Sequence, residues 1–216
     1  MTKLICFDMD GMIFEHSNFW LELHKEFDTL EEGKVLTETY LYTNYETLVK
    51  EVIGRLWKNK PAEKFYELIK KQNYMPGVVQ TITTLKEKGF KIAIISSGSK
   101  TLAERAQKEL GIDFIYTNTL EIKDGKVTGS IDMDNWPIRA GNKAEALREL
   151  CTIHNIDLKD VIVVVHDTND VKMAKTAGFA IAFNPINEEI LKYCNSVISG
   201  KDIQDILPEI ESFENR

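Results

Sequence analysis

No apolar stretch of this sequence is long enough to span a bilayer, which argues against an integral membrane protein. A secretory signal is equally unexpected. In the N-terminal MTKLICFDMD, Asp8 and Asp10 interrupt the apolar run at once. Cysteine is scarce: Cys6, Cys151 and Cys194 are odd in number and have no metal-ligand spacing. That argues against a disulfide framework and fits a reduced, cytoplasmic setting. Positive charge is the minority sign. The 27 Lys and Arg residues against 34 Asp and Glu leave a formal charge of −7, without a basic run. This argues against nucleic acid and membrane surfaces as partners. An anionic small substrate stays open, because a local site can differ in sign from the whole chain. Internal repeats and low-complexity segments are also missing.

What is present is a 216-residue chain, 43% hydrophobic, enough for one substantial core carrying an insertion. LICF reads as a short buried strand. From residue 75 the pattern is regular. MPGVVQTITTLKEKG reads as a turn and an amphipathic helix closed by Gly89, then FKIAIIS as a strand. KTLAERAQKELG is a helix, IDFIYTN a strand, NKAEALRELCTIH a helix, and DVIVVV a strand with the β-branched run of a central parallel position. NDVKMAKTAG is a helix, FAIAF a strand, and two short helices finish the chain. Alternation of this kind predicts an α/β fold with a Rossmann-like parallel sheet covered on both faces. LEIKDGKVTGSI predicts a hairpin turning at Asp124-Gly125. Residues 15–74 break the alternation. NFWLELHKEF, TNYETLVKEVIGRLW and PAEKFYELIKKQ read as helices with no convincing strand between them. The expected division is a core of 1–14 and 75–216 and a small helical cap of 15–74, inserted after the first strand.

Open α/β sheets bind ligands beyond the carboxyl ends of their strands. The first strand ends in Asp8 and Asp10. FKIAIIS ends in Ser96, followed by Ser97 and Gly98. DVIVVV runs into His166, Asp167, Thr168, Asn169 and Asp170, and Lys143 opens the helix before it. Two aspartates one residue apart repel each other and are costly to desolvate. Lys143 and a divalent cation would compensate, and oxygen ligands of this kind suit magnesium.

This constellation resembles the haloacid dehalogenase superfamily, and within it the phosphoserine-phosphatase-like branch, over nearly the whole chain. DMDG matches the first motif, IISSGS the second, GNKAEAL the lysine motif, and DTND resembles the acidic fourth motif. The resemblance implies a magnesium (Mg2+)-dependent phosphomonoesterase acting on a small phosphorylated metabolite. Asp8 would attack phosphorus and form an aspartyl-phosphate that water hydrolyses. Asp10 would protonate the leaving alkoxide and later activate water, since the second half-reaction reverses the proton demand. Ser96, Ser97, Gly98, Lys143 and Asn169 would bind phosphate or substrate. Asp8, the Asp10 carbonyl and Asp167 would hold the metal, with Asp170 and His166 in support. Asp10 favours phosphate transfer over dehalogenation, which lacks an acid there. A Schiff-base phosphonate cleavage through Lys25, Lys34 or Lys50 is a remote alternative. A phosphotransferase or mutase of the same superfamily, or a weakly catalytic phosphate-binding protein, stand as the other readings.

Several residues carry plainer readings too. Ser96 could be a helix-capping hydroxyl, Lys143 an exposed lysine and Arg139 a salt-bridge partner. Trp20 reads as cap core before substrate wall, and His24 as a hydrogen-bonded structural residue. Where phosphoserine phosphatases present a cap glutamate and arginine to the substrate's charged groups, the nearest positions here hold Ser17 and Lys50, which argues against phosphoserine. In the fourth motif two registers remain open. Keeping Asn169 and Asp170 ungapped puts His166 at the metal-binding position. A one-residue deletion puts Asp167 there, and this register is favoured because magnesium prefers a hard oxygen ligand.

Overall fold

The computed structural model describes residues 3–130, 138, 139 and 141–215. Ile131, the last residue of the hairpin stretch, lies outside them. Six parallel strands form one sheet in the order β3-β2-β1-β6-β7-β8. They are β1 (Lys3–Phe7), β2 (Phe90–Ser99), β3 (Phe114–Asn118), β6 (Val161–Val165), β7 (Phe179–Phe183) and β8 (Ser196–Ile198). β1 is central because past Lys3 it carries no polar side chain to keep wet: Leu4, Ile5, Cys6 and Phe7 are all fully buried. Its side chains alternate between the two faces. Ile5 and Phe7 join one apolar cluster, Leu4 and Cys6 the other.

Helices α5 (Val78–Glu87), α6 (Lys100–Leu110), α7 (Lys143–His154), α8 (Val171–Thr176), α9 (Glu188–Leu191) and α10 (Leu207–Glu214) cover the two faces. The hairpin β4 (Ile122–Lys123) and β5 (Lys126–Val127) turns at Asp124 and Gly125, both with positive φ, as a two-residue turn requires. Strand β8 was not expected. It is three residues long and only partly buried, too short to show a period of two. No helix among the described residues is long and apolar enough to cross a membrane.

Between β1 and α5 lie four helices: α1 (Phe19–Glu26), α2 (Leu30–Tyr40), α3 (Tyr45–Val49) and α4 (Ala62–Lys71). α3 continues as a π-helical segment, Lys50–Leu56. The chain leaves and re-enters the core side by side. The Glu15 amide donates to Asn73 and the Met75 amide to Ile13, and Phe14 bridges Tyr74. The far side of the insertion rests on the hairpin, where Pro61 bridges Lys126. Its interior is aromatic. Trp57 lies 4.7 Å from the His24 ring and 5.8 Å from Trp20 and Phe27, and Phe19 meets Phe65 edge-on at 5.9 Å. α2 buries only Gly33. A Cβ there would come within 2.3–2.6 Å of the His24 ring, so glycine is what lets α1 and α2 approach.

Candidate active site

Sheet order reverses between β1 and β6, and the crevice at such a switch point is where an open α/β sheet binds its ligand. Asp8 follows β1 there and His166 follows β6. Lys143, first residue of α7, reaches between them. Its Nζ lies 3.0 Å from Asp8 Oδ1 and 2.7 Å from Asp170 Oδ1. This ammonium is 4% exposed and Asp170 is fully buried. Two buried carboxylates and one buried ammonium leave net negative charge, a state a bare protein interior disfavours.

Charge balance shows in the titration of these groups. Burial pushes the Asp8 carboxyl up, but Lys143 and then His166 outweigh it and hold it below the ordinary value of 3.8. Asp170 goes the other way: burial dominates, Lys143 opposes and Asp8 adds to the upward push. Burial alone would lower Lys143, yet Asp170 and Asp8 raise it. Asp8 and Lys143 are therefore charged at neutral pH.

Asp8 Oδ1 also accepts from the Met9 amide at 2.8 Å. Its Oδ2 faces His166 Nδ1 at 3.5 Å, too far for a hydrogen bond. Asp170 Oδ2 accepts from the backbone amides of His166 (3.2 Å) and Asp167 (3.3 Å). One oxygen each of Asp8 and Asp170 and a ring nitrogen of His166 lie within 4.8 Å of one another. These are the residues that can hold a divalent cation. His166 Nδ1 is buried without a hydrogen-bond partner, as expected of a group kept for a ligand. The donor set is thus mixed, two carboxylates and an imidazole. It fits a divalent cation that accepts nitrogen and departs from the all-oxygen set magnesium prefers.

Asp167 does not join this cluster. Its Oδ1 accepts from the Thr168 amide (2.5 Å) and Asn187 Nδ2 (2.7 Å), its Oδ2 from Asn169 Nδ2 (3.1 Å). It caps the short turn Thr168–Asp170 reciprocally with Asp170. The side chain that faces the crevice is His166, the one the ungapped register places there, and not the Asp167 that a preference for hard oxygen favours. The physical reason is Asn187. Nothing near the motif announced it, and it draws the Asp167 side chain toward α9.

Asp10 sits at the entrance to the insertion. Its Oδ1 pairs with His16 Nε2 at 2.8 Å and its Oδ2 accepts from the Phe19 amide at 2.9 Å. Ser96 is buried, and its hydroxyl accepts from the Gly98 amide at 3.2 Å. The helix-capping alternative does not hold, because the residue before α6 is Ser99. The ladder from β2 to β1 ends at Ile94, and that to β3 shifts register between Ile95 and Ser99. Ser96–Gly98 therefore lie past regular pairing, at the place where a phosphate would meet backbone amides. A Cβ on Gly98 would stand 3.3 Å from Ser96 Oγ, 3.5 Å from Asp10 Oδ1 and 2.3 Å from Met9 Cε. Glycine lets these three converge without moving the end of Met9. The Ser97 carbonyl accepts from Trp20 Nε1 (2.8 Å) and Asn118 Nδ2 (3.2 Å).

Above this floor lies a cavity of about 130 Å³. Ser97 and Asn169 line its lower end. Trp20, Leu41, Tyr45, Leu48, Val52 and Trp57 line its walls with Asn18, His24 and Thr37, and among the described residues no Asp, Glu, Lys or Arg lines it. Trp20 is thus both insertion core and cavity wall. His24 accepts from Trp57 Nε1 and pairs with Thr29, and burial lowers its pKa to about 4. Ser17 is exposed. Lys25, Lys34 and Lys50 are exposed and paired with neighbouring glutamates. Arg139 is exposed, its charge felt by Glu46 of the insertion.

Three contributors were not expected from the sequence. Tyr42 places its hydroxyl beside the Asn169 amide, with burial and then the Asp167 charge raising its pKa. Asn187 holds Asp167. Asn118, buried at the end of β3, holds both Ser97 and the Ile138 backbone. Only Asn118 left a signal, a lone amide closing an apolar strand.

A family model for haloacid dehalogenase-like hydrolases matches residues 2–178. A phosphoserine phosphatase of Methanocaldococcus jannaschii is 32% identical over 97% of this chain and 98% of its own. One of Saccharomyces cerevisiae is 31% identical over 95% of this chain and 66% of its own. Among solved structures, one described as a phospho-aspartyl intermediate analogue of phosphoserine phosphatase superposes with a TM-score of 0.84. It is 30% identical and covers 96% of this chain and 98% of that one. A substrate-bound phosphoserine phosphatase complex gives the same score at 29% identity, with 97% and 98% covered.

Proposed function

The chain belongs to the haloacid dehalogenase-like hydrolases and is a phosphatase. From that premise we propose that Asp8 is the nucleophile and that the leaving group of its substrate is uncharged and largely apolar. The observation that carries the first part is the Asp8–Lys143–Asp170 cluster. It keeps Asp8 ionised in a buried crevice, with Oδ1 fixed by Met9 and Lys143 and Oδ2 free of hydrogen bonds and facing His166. Asp8 attacks phosphorus, the phosphorus–oxygen bond of the ester breaks, and an aspartyl-phosphate forms. Water then cleaves the acyl phosphate and restores the carboxylate.

Asp10 supplies the proton to the departing alkoxide and takes one back from the attacking water. His16 and the Phe19 amide hold it at the mouth of the insertion, so docking of the insertion and placement of the acid are linked. Lys143, the Ser96 hydroxyl and the amides of Ser97 and Gly98 are the donors for the phosphoryl oxygens, and Asn169 with Tyr42 closes the rim. The insertion acts as a cap that keeps water from the leaving-group side. A divalent cation, when bound, draws charge from the phosphoryl group.

The lining of the cavity supports the second part. Phosphoserine carries an ammonium and a carboxylate on its leaving group. Among the described lining residues only neutral polar groups such as Asn18 and Thr37 stand beside Leu41, Leu48 and Val52, and burying either charge there without an opposite charge would be costly. The relatives' named substrate is thus expected to be a poor one here. The direct test is trapping. Rapid acid quenching during turnover of an aryl phosphate should leave one phosphoryl group on the peptide containing Asp8. A steady-state chain with no acyl phosphate, or a label elsewhere, would refute the covalent route.

A further inference from the structure

We propose that the cation site of this chain is a mixed nitrogen–oxygen site of Asp8, Asp170 and His166. It takes a transition ion that accepts imidazole nitrogen, such as iron(II), cobalt(II) or zinc(II) and, less strongly, manganese(II), in preference to magnesium. The proposal rests on the assignment of this crevice as the phosphatase site, and concerns which metal that site selects.

Three observations carry it. First, the loop after β6 is fixed in the register that delivers His166. The Ile186 amide donates to the His166 carbonyl at 3.0 Å, and the His166 and Asp167 amides both donate to Asp170. Second, Asp167 is held outside the cluster. Asp167 has both oxygens engaged by Thr168, Asn169 and Asn187, and rotating it into the crevice would break those contacts. Third, the imidazole is 7% exposed and its Nδ1 is unpartnered. That nitrogen faces Asp8 Oδ2 at 3.5 Å and Asp170 Oδ2 at 3.9 Å. Those gaps are too wide for hydrogen bonds. They match two ligands about 2.1 Å from a shared ion, which stand roughly 3 to 4 Å apart. Gly11, at positive φ, lies against the other edge of the ring, a Cβ there standing 3.6 Å from Nε2, and keeps the imidazole close to the DMDG turn.

Ligand chemistry then sets the preference. Magnesium binds through oxygen in strict octahedra, whereas imidazole nitrogen suits zinc, iron, nickel and copper. Exchanging a carboxylate for an imidazole also removes one negative charge that a hard ion would use.

Binding, not turnover, tests this. Metal-free protein is titrated with Mn2+ and with Mg2+ by calorimetry, and pulsed electron paramagnetic resonance on the Mn2+ form looks for a directly bound nitrogen. The expected result is tighter binding of Mn2+ than of Mg2+ and a clear nitrogen coupling. His166→Ala should lose the coupling and weaken Mn2+ binding by about tenfold or more, at least what removing an outer-shell partner costs. His166→Asp should lose the coupling and move the Mn2+/Mg2+ preference toward magnesium by a similar factor. Bound Mn2+ without nitrogen coupling would overturn the proposal. So would an unchanged preference in His166→Asp, or no divalent ion bound at all. A chain that binds Mn2+ through nitrogen yet hydrolyses no ester would instead retire the phosphatase reading and leave the metal site standing.

Discussion

The two walls of the crevice are built on opposite principles. On the core side, charge is buried and answered by charge: Asp8, Lys143 and Asp170 sit within 3.0 Å contacts with almost no exposure. On the insertion side, the lining is mostly aromatic and aliphatic, with Asn18, His24 and Thr37 as its polar members, and among the described residues it holds no Asp, Glu, Lys or Arg. On the reading proposed above, the core wall carries the phosphoryl chemistry and the insertion wall meets the leaving group, so that selection among esters would fall to the insertion through shape and the cost of desolvation. The motif residues that resemble a known family lie on the first wall. Two departures from that family, Ser17 and Lys50 in place of an acid and an arginine, belong to the insertion, next in sequence to the lining residues Asn18 and Val49, and a third, His166, lies on the core wall.

The sharpest way to break the contrast is Asp8→Asn. It removes the nucleophile while keeping shape, and turnover of p-nitrophenyl phosphate should fall by about four orders of magnitude or more with the circular dichroism spectrum unchanged. Near-normal turnover would detach the core wall from the chemistry. Asp10→Asn should cost less, about 10²–10⁴-fold, because it removes one positioned acid–base.

Lys143→Met tests whether charge pairing holds the core wall together. Leaving Asp8 and Asp170 buried and unanswered should cost about 3–5 kcal/mol in urea unfolding near neutrality. The deficit should shrink as the pH falls, since protonation removes the unpaired charge. A deficit that is flat with pH would point to lost packing instead.

On the insertion wall, kcat/KM for an aryl phosphate should exceed that for phosphoserine by about tenfold or more, equivalent to about 1.4 kcal/mol of unpaired polar burial. Phosphoserine outperforming every apolar ester would sink the argument from the cavity lining. The smallest effect concerns His24. Its pKa is lowered to about 4, so the unfolded chain takes up a proton near 6.5 that the folded chain refuses. Stability should thus decline as the pH drops from about 6.5 to about 4, then level off for this residue. His24→Asn should flatten that segment of a thermal-denaturation pH profile.

Much of the core wall could be read from local pattern. Helix and strand alternation from residue 75 onward is a short-range signal, and the elements expected there match the observed ones closely, from β2 to β7. The order of Asp8, Ser96, Lys143 and Asp170 followed from strand ends, because a parallel sheet sends every strand's carboxyl end to the same edge. The insertion was harder. α2 has only a weak apolar stripe, since Gly33 is its one buried residue and Leu36 and Tyr40 pack part-buried against the core.

Sequence by itself determined the fold class, the carboxylate pair after β1 and the family the chain resembles, because periodicity and strand-end chemistry depend on neighbours within a few residues. Tertiary structure alone decided which side chain of HDTND faces the crevice, that Trp20 is a wall and that the space above Ser97 is apolar. Asp167 is drawn aside by Asn187, twenty residues away along the chain, and Trp20 is held by Ser97, seventy-seven away. Choices of that kind are made by hydrogen bonds between distant segments, and those partners become neighbours only once the sheet has brought its strand ends to one edge.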